Sequence, residues 1–198
     1  MRKTIYIVCE GASEKSYISE VVKYFRNEEG IDLHLVPKVA GSGHYVAIRD
    51  KYREVFQSQR RSPEIKIWVD KDIYLRNDKN NADNYRMHCQ DGLPDFLFTS
   101  MNGEDFLTMH VDSFGKWEDI CRKKGHFSSP MHENAYLPLI RGNIFPNYKK
   151  GELPFEICRE RLKCLFENQN NNRGNEGAIH CDFSDFLKAV IQNAGITI

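Results

Sequence analysis

The chain has 198 residues, and Lys plus Arg equals Asp plus Glu at 28 each, so the formal net charge is zero. That balance excludes a global positive field that would draw in nucleic acid; any such binding rests on a local patch. Hydrophobic residues at 40% and charged residues at 28% are ordinary for a soluble globular protein with a sizeable core.

The first strand is expected at Thr4 to Cys9 (TIYIVC), a short run rich in β-branched residues. Ser13, two residues after Gly11, suits a helix N-cap, with Glu14 in the first turn, where the helix dipole favours an anion. Tyr17, Ile18, Val21, Val22, Tyr24 and Phe25 then recur at helical spacing, and Asn27 to Gly30 ends that helix. Ile31 to Val39 alternates as a second strand, and Pro37 places its far end at a sheet edge or beyond the ladder. AGSGHY turns the chain into a helix over Tyr45 to Gln59, and Ile65 to Val69 (IKIWV) is a third strand ending on Asp70-Lys71-Asp72.

Asn77 to Asn84 reads as a polar loop, Asp95 to Thr99 as a fourth strand and Gly103 to Val111 as a helix. Ser113 to Lys124 is expected to be helical, Phe127 to Lys150 loop-rich, and Glu152 to Asn168 helical. The NQNNNRGNEG run reads as a mobile polar loop, and Phe183 to Asn193 as a final amphipathic helix. Strands alternating with helices imply an α/β fold with a mostly parallel sheet covered by helices. The organisation expected is a single domain over 1–198, its core at about 1–112 and a helical C-terminal extension at about 113–198.

Six cysteines form no CxxC pair and no zinc-finger spacing with histidine. No signal peptide and no stretch of transmembrane length is read, so the expected setting is the cytoplasm, with reduced thiols and no membrane partner.

The strand-end carboxylates carry the chemistry. Ligands of open parallel sheets bind outside the carboxyl ends of the strands. Glu10 ends the first strand, Asp70 and Asp72 follow the third, and Glu14 lies one helical turn on from Glu10. If the two strands are neighbours, these groups meet on one rim. Together they cannot all stay ionised without a cation, and all-oxygen ligation suits Mg²⁺ or Mn²⁺. Each motif alone has a plain explanation, acids at a helix start for EGASE and a turn for DKD; the pair is what points to a site.

With those residues in view, IVCEGASE resembles the first motif of the Toprim domain, and IWVDKDIY its strand-DxD motif. Within that superfamily the chain looks most like the OLD-type and RloB-like (AbiLii) bacterial defence proteins, through CEGASEKSYI. SMNGEDFLTMHVD is similar to a further segment of that group at Asn102, Glu104 or Asp105, Phe106, Leu107 and His110, and spacing favours Glu104 as the acidic counterpart. FPNYKKG resembles a downstream Tyr-Lys segment. The resemblance implies a Toprim-like, Rossmann-like fold and a metal-dependent nucleic-acid phosphodiesterase in a phage-defence setting. It implies that Glu10 is acid/base or first metal ligand, that Asp70 and Asp72 bind Mg²⁺, and that Glu14 and Glu104 complete that metal site or a second one.

Substrate-binding candidates are Gly11 of the first motif, Lys71 between the aspartates, Lys149 and Lys150 after Tyr148, and His44 in the GSGH turn. Strand alternation competes for Lys71 by turning it away, and solvated or helix-start roles compete for the others. His110 and Trp68 read as core residues. Implied partners are DNA or RNA, with a second copy of the chain or a defence-system protein as further candidates. Two alternatives stay open: a non-catalytic Toprim-like module that binds nucleic acid or a partner, and a phosphatase of the haloacid dehalogenase type, whose strand-DxD motif WVDKDIY also fits.

Overall fold

The computed structural model describes residues 3–59, 61–72, 82–129, 131–175 and 177–198. Arg60, Ile73, Tyr74 and the 77–81 part of the polar stretch in the sequence reading lie outside them.

Four strands make one all-parallel sheet: β1 (Ile5–Cys9), β2 (Leu35–Val39), β3 (Glu64–Asp70) and β4 (Phe96–Thr99), in the order β2-β1-β3-β4. Side chains alternate between the faces. Ile7 and Trp68 enter one core, while Val8, Ile67 and Val69 enter the other. Helices cover both faces, the arrangement of a parallel sheet in a Rossmann-like fold. Trp68 is fully buried, donates its indole N–H to Thr99 and stacks on Phe183 with ring centroids 4.0 Å apart. Trimming it to Ala would cost about 3–5 kcal/mol.

Pro37 lies on β2, an edge strand, where its missing N–H breaks no ladder. The expected strand from Ile31 is shorter, starting at Leu35. Asp32 accepts the His34 N–H at 2.8 Å, and His34 takes a left-handed φ of 53°, which a continuous strand cannot hold. At the other edge, Thr99 bridges Cys181 and Ser100 N–H donates to His180, so a C-terminal segment lies along β4.

The helices among the described residues are α1 (Ala12–Glu28), α2 (Tyr45–Ser58), α3 (Ala82–Asp91), α4 (Gly103–Thr108), α5 (Phe114–Lys123), α6 (Glu133–Asn143), α7 (Arg159–Asn172) and α8 (Asp182–Asn193). None is long and apolar enough to cross a membrane. Several depart from the sequence reading. The N-cap of α1 is Gly11, not Ser13; the chain turns helical directly after Glu10. Ala82 to Asn84, read as loop, opens α3. There Asn84 is buried and caps the chain entering α2 by accepting the Tyr45 N–H at 3.1 Å.

The region read as loop-rich contains α6. It bends the usual rule by holding Pro138 in its interior, where Pro138 and Asn134, four residues before it, are both exposed to water. Residues 152–158 are not helical: Gly151 has φ 87°, Pro154 follows, and α7 begins only at Arg159. The polar NQNNN run is the last stretch of α7. Gln169 pairs with Asp185 and Cys181, and Asn172 with Glu118 and Ile179, so two of its amides are buried and bonded.

One apolar core runs from α1 and α4 through α5, α6, α7 and α8. The 113–198 stretch therefore packs directly on the face of the sheet that α1 covers. It also reaches the carboxyl ends of β1 and β3.

Candidate functional site

β1 and β3 are neighbours, and their ladder ends at the Cys9–Trp68 pair. One residue past Cys9, Glu10 swings its carboxylate across to the next strand. Its Oε1 accepts the backbone N–H of Asp70 at 2.6 Å. Asp70 is the last residue of β3, and its Oδ2 accepts the N–H of Gly103, the first residue of α4, at 2.7 Å. Glu14 reaches back along its own helix start to accept the Gly11 N–H at 3.0 Å. Two helix N-termini thus face these carboxylates, and their free N–H groups favour negative charge there.

A cleft of about 670 Å³ opens on this rim. Glu10, Glu14, Asp70, Asp72, Glu104 and Glu133 all line it, against one lysine among the described residues, Lys150. Glu104 is buried, and both its oxygens are held by phenols: Tyr136 donates at 2.7 Å and Tyr148 at 3.2 Å. Both tyrosines come from the 113–198 stretch, so that stretch builds one wall of the site. Tyr136 and Tyr148 carry no sequence signal for this role. Their pairing with Glu104 spans 32 and 44 residues of chain, and no local pattern encodes it.

Two glycines let the backbone close on the acids. A Cβ on Gly43 would lie 2.3 Å from Glu10 Oε2, so with Glu10 in this position only glycine lets the AGSGH turn pass there. A Cβ on Gly103 would lie 3.1 Å from Glu14 Oε1 and 3.6 Å from Asp70 Oδ2. Those two distances bring Glu14 and Asp70 to the same position on the backbone.

The electrostatics follow from crowding. Burial pushes the Glu10 carboxyl up to about 8; Glu14, Asp72 and Glu104 push the same way, against the Asp70 N–H. Asp70 is raised well above the carboxylate range by burial and by Glu10, Glu14, Asp72 and Glu104. Burial also raises Glu14, opposed by backbone N–H groups and by Lys150. Lys150 is held up in turn: burial works against its ammonium, but its hydrogen bond to Glu133 and the charges of Glu104, Glu133 and Asp70 outweigh that. Burial and the adjacent Glu104 raise Tyr136 and Tyr148, which stay protonated donors.

Of the residues singled out in the sequence, Glu10, Gly11, Glu14, Asp70, Asp72, Glu104 and Lys150 line this cleft together. Lys71, Lys149 and His44 do not. Lys71 points to a second cleft on the far side of the Asp70–Asp72 turn, as strand alternation allows. Lys149 is exposed and lies 3.8 Å from Glu152. His44 is exposed at the N-cap of α2, with Nδ1 3.3 Å from Asn84 Nδ2.

The donor set in the cleft is all oxygen and strongly anionic, which fits a hard divalent cation. A second group of residue types able to hold a metal lies nearby: Asp105, Cys121 and His126 are buried, with candidate ligand atoms within 4.8 Å of one another. The polar atoms of Asp105 and His126 are already engaged. Asp105 accepts from Trp117 Nε1 at 2.7 Å and pairs with His126 Nε2 at 2.9 Å, while His126 Nδ1 accepts the Met131 N–H at 2.9 Å. That last bond leaves the neutral ring's proton on Nε2, aimed at Asp105. Asp105 thus turns into the fold, and Glu104 turns into the cleft.

His110 is buried and bonded to Tyr17 and Phe106, and burial lowers it to about 3, so it stays neutral in the core. Compared with protein-family models, curated proteins and solved structures, the chain matches none of them.

Proposed function

We propose that this chain is a Toprim-like phosphodiesterase that uses Mg²⁺ or Mn²⁺ to cleave a nucleic acid. The observation that carries the reading is the meeting of Glu10 and Asp70 at the carboxyl end of a parallel sheet, with Glu14, Asp72 and Glu104 on the same cleft. Isolated acids at helix starts or turns would not converge from two strand ends, a turn and two helices. The EGASE and DKD motifs, which resemble the Toprim motifs, supply the acids that converge.

Glu10, Asp70 and Asp72 would hold the cation, with Glu14 and Glu104 beside them. Bound there, a divalent ion supplies charge for phosphoryl oxygens and lowers the pKa of a water. The chain does the positioning. Asp70 N–H fixes Glu10, Gly103 N–H fixes Asp70, and the two phenols fix Glu104, so the acids need little reorganisation when substrate arrives. Water adds to phosphorus, the bridging P–O bond breaks, and the leaving oxygen takes a proton. The attacking water is the source of that proton. Lys150, at the rim, adds positive charge for the incoming phosphate.

The test is incubation of purified protein with plasmid, single-stranded DNA and tRNA, with Mn²⁺ or with EDTA. Cleavage of at least one substrate with Mn²⁺, absent with EDTA and absent in Glu10→Gln and Asp70→Asn, is the expected result. Cleavage that survives EDTA or both substitutions would overturn the reading. No cleavage of any substrate, with Mn²⁺ still bound, would favour a binding module instead.

A further inference from the structure

Asn102 precedes α4 as its N-cap and is 4% exposed. Its backbone is fully used: its N–H donates to Asp105 Oδ2 at 3.1 Å, and its carbonyl accepts the Asp105 N–H at 3.0 Å. Its side-chain Nδ2 is buried and has no hydrogen-bond partner among the described residues. An orphaned buried donor costs about 1–3 kcal/mol and calls for an explanation.

The surroundings sharpen the question. Asn102 lines the acidic cleft, where acceptors are plentiful. Yet four of the cleft's carboxylates take their donors elsewhere. Glu10 uses the Asp70 N–H, Asp70 the Gly103 N–H, Glu14 the Gly11 N–H, and Glu104 two phenols. The amide is left as a neutral, pre-positioned donor beside the proposed cation site. A donor cannot ligate a cation, but it suits an oxygen that gains negative charge.

We propose that Asn102 Nδ2 donates to a non-bridging oxygen of the phosphoryl group that this cleft takes. This rests on the phosphodiester reading above and adds a substrate contact to it. The proposal accounts for the orphan: its partner is the ligand. It also assigns the cleft one neutral donor for phosphate, distinct from the acids that hold the cation.

The test uses the whole chain loaded with Mg²⁺, and inorganic phosphate as the probe, by calorimetric titration. Asn102→Asp keeps the side-chain shape and the N-cap but removes the donor; Asn102→Ala removes the side chain. Mg²⁺ affinity is measured first, and circular dichroism confirms folding. Wild type is expected to bind phosphate, with at least tenfold weaker binding in both variants and Mg²⁺ affinity of Asn102→Ala within twofold of wild type. Equal phosphate binding in wild type and the variants, or none in wild type, overturns the proposal. So does a marked gain in Mg²⁺ affinity in Asn102→Asp with phosphate binding kept, which would mean that the amide oxygen faces the cleft. Because the readout is binding, a wild type that holds phosphate but cleaves nothing sinks the nuclease reading and leaves this one standing.

Discussion

The carboxylate of Glu10 accepts the backbone N–H of Asp70 across the gap between two parallel strands, at 2.6 Å. One strand end thereby grips the other through a charged side chain rather than through the ladder. When Glu10 is ionised, as a bound cation would keep it, this bond is charge-assisted and about twice as strong as a neutral one. The bond fixes where one carboxyl oxygen points and brings the two acids into one site.

Gly43 guards that geometry from the opposite side. An alanine there would put its Cβ 2.3 Å from Glu10 Oε2 and 2.6 Å from its carboxyl carbon. The Glu10 side chain can swing away only by giving up the Asp70 N–H, so we expect Gly43→Ala to lower stability by about 1–3 kcal/mol. The displaced carboxylate should also lose Mn²⁺ affinity and cleavage by tenfold or more. Thermal melting alongside metal titration separates the two effects; a variant that melts and binds metal like wild type would contradict the placement of this turn.

Tyr136 and Tyr148 both donate to Glu104. Removing either hydroxyl takes a hydrogen bond from a buried carboxylate, worth about 1.5–3 kcal/mol. Tyr136→Phe and Tyr148→Phe should each lower the free energy of unfolding by that order, and the double variant by an amount that differs from the sum, because both act on one group. Urea unfolding of the four proteins checks this. Strict additivity with small single effects would show that Glu104 does not depend on them.

The crowding of acids has a definite pH signature in the metal-free protein. Glu10 is raised from an ordinary 4.5 to about 8, chiefly by burial, and Asp70 is raised too. Between those two values the folded chain holds a proton that the unfolded chain has released. Stability is therefore greatest below the unfolded value and falls as pH rises through the folded one, by at most about 1.4 kcal/mol per pH unit for each group. Neutral His110, lowered to about 3, acts oppositely but only below its ordinary 6.5. Unfolding in EDTA at pH about 7 and about 8 should thus show a loss of stability at the higher pH, reduced or abolished by Mg²⁺. A loss of equal size with Mg²⁺ present would mean that the cation does not bind these acids.

The sequence carried the strands and their acidic ends well, because a buried parallel strand is a short apolar run and a charge at its tip stands out. IYIVC before Glu10 and IKIWV before Asp70 are such runs. Signals broke down where local composition and tertiary contacts disagree. The Asn-rich end of α7 looks like a loop, yet Gln169 and Asn172 find buried partners in Asp185, Glu118 and the backbone. Pro138 and Gly142 hide α6, whose Tyr136 reaches the site.

At the site itself, Glu104, the residue that spacing favours over Asp105, is the one that lines the cleft. It gave no hint that Asp105 anchors Trp117 and His126, nor that Gly43 rests on Glu10. Lys71, Lys149 and His44 were singled out by proximity in the chain, which says little about the side to which a residue points.

Calorimetric titration of Mn²⁺ into wild type, Glu10→Gln and Asp70→Asn tests most directly whether the two strand tips share a cation. Wild type should bind, each substitution should weaken binding at least tenfold, and neither should lower the melting temperature of the metal-free protein, since each removes a repelling charge. Variants that bind Mn²⁺ as tightly as wild type, or that both melt well below it without metal, would contradict a shared metal site and make these acids structural.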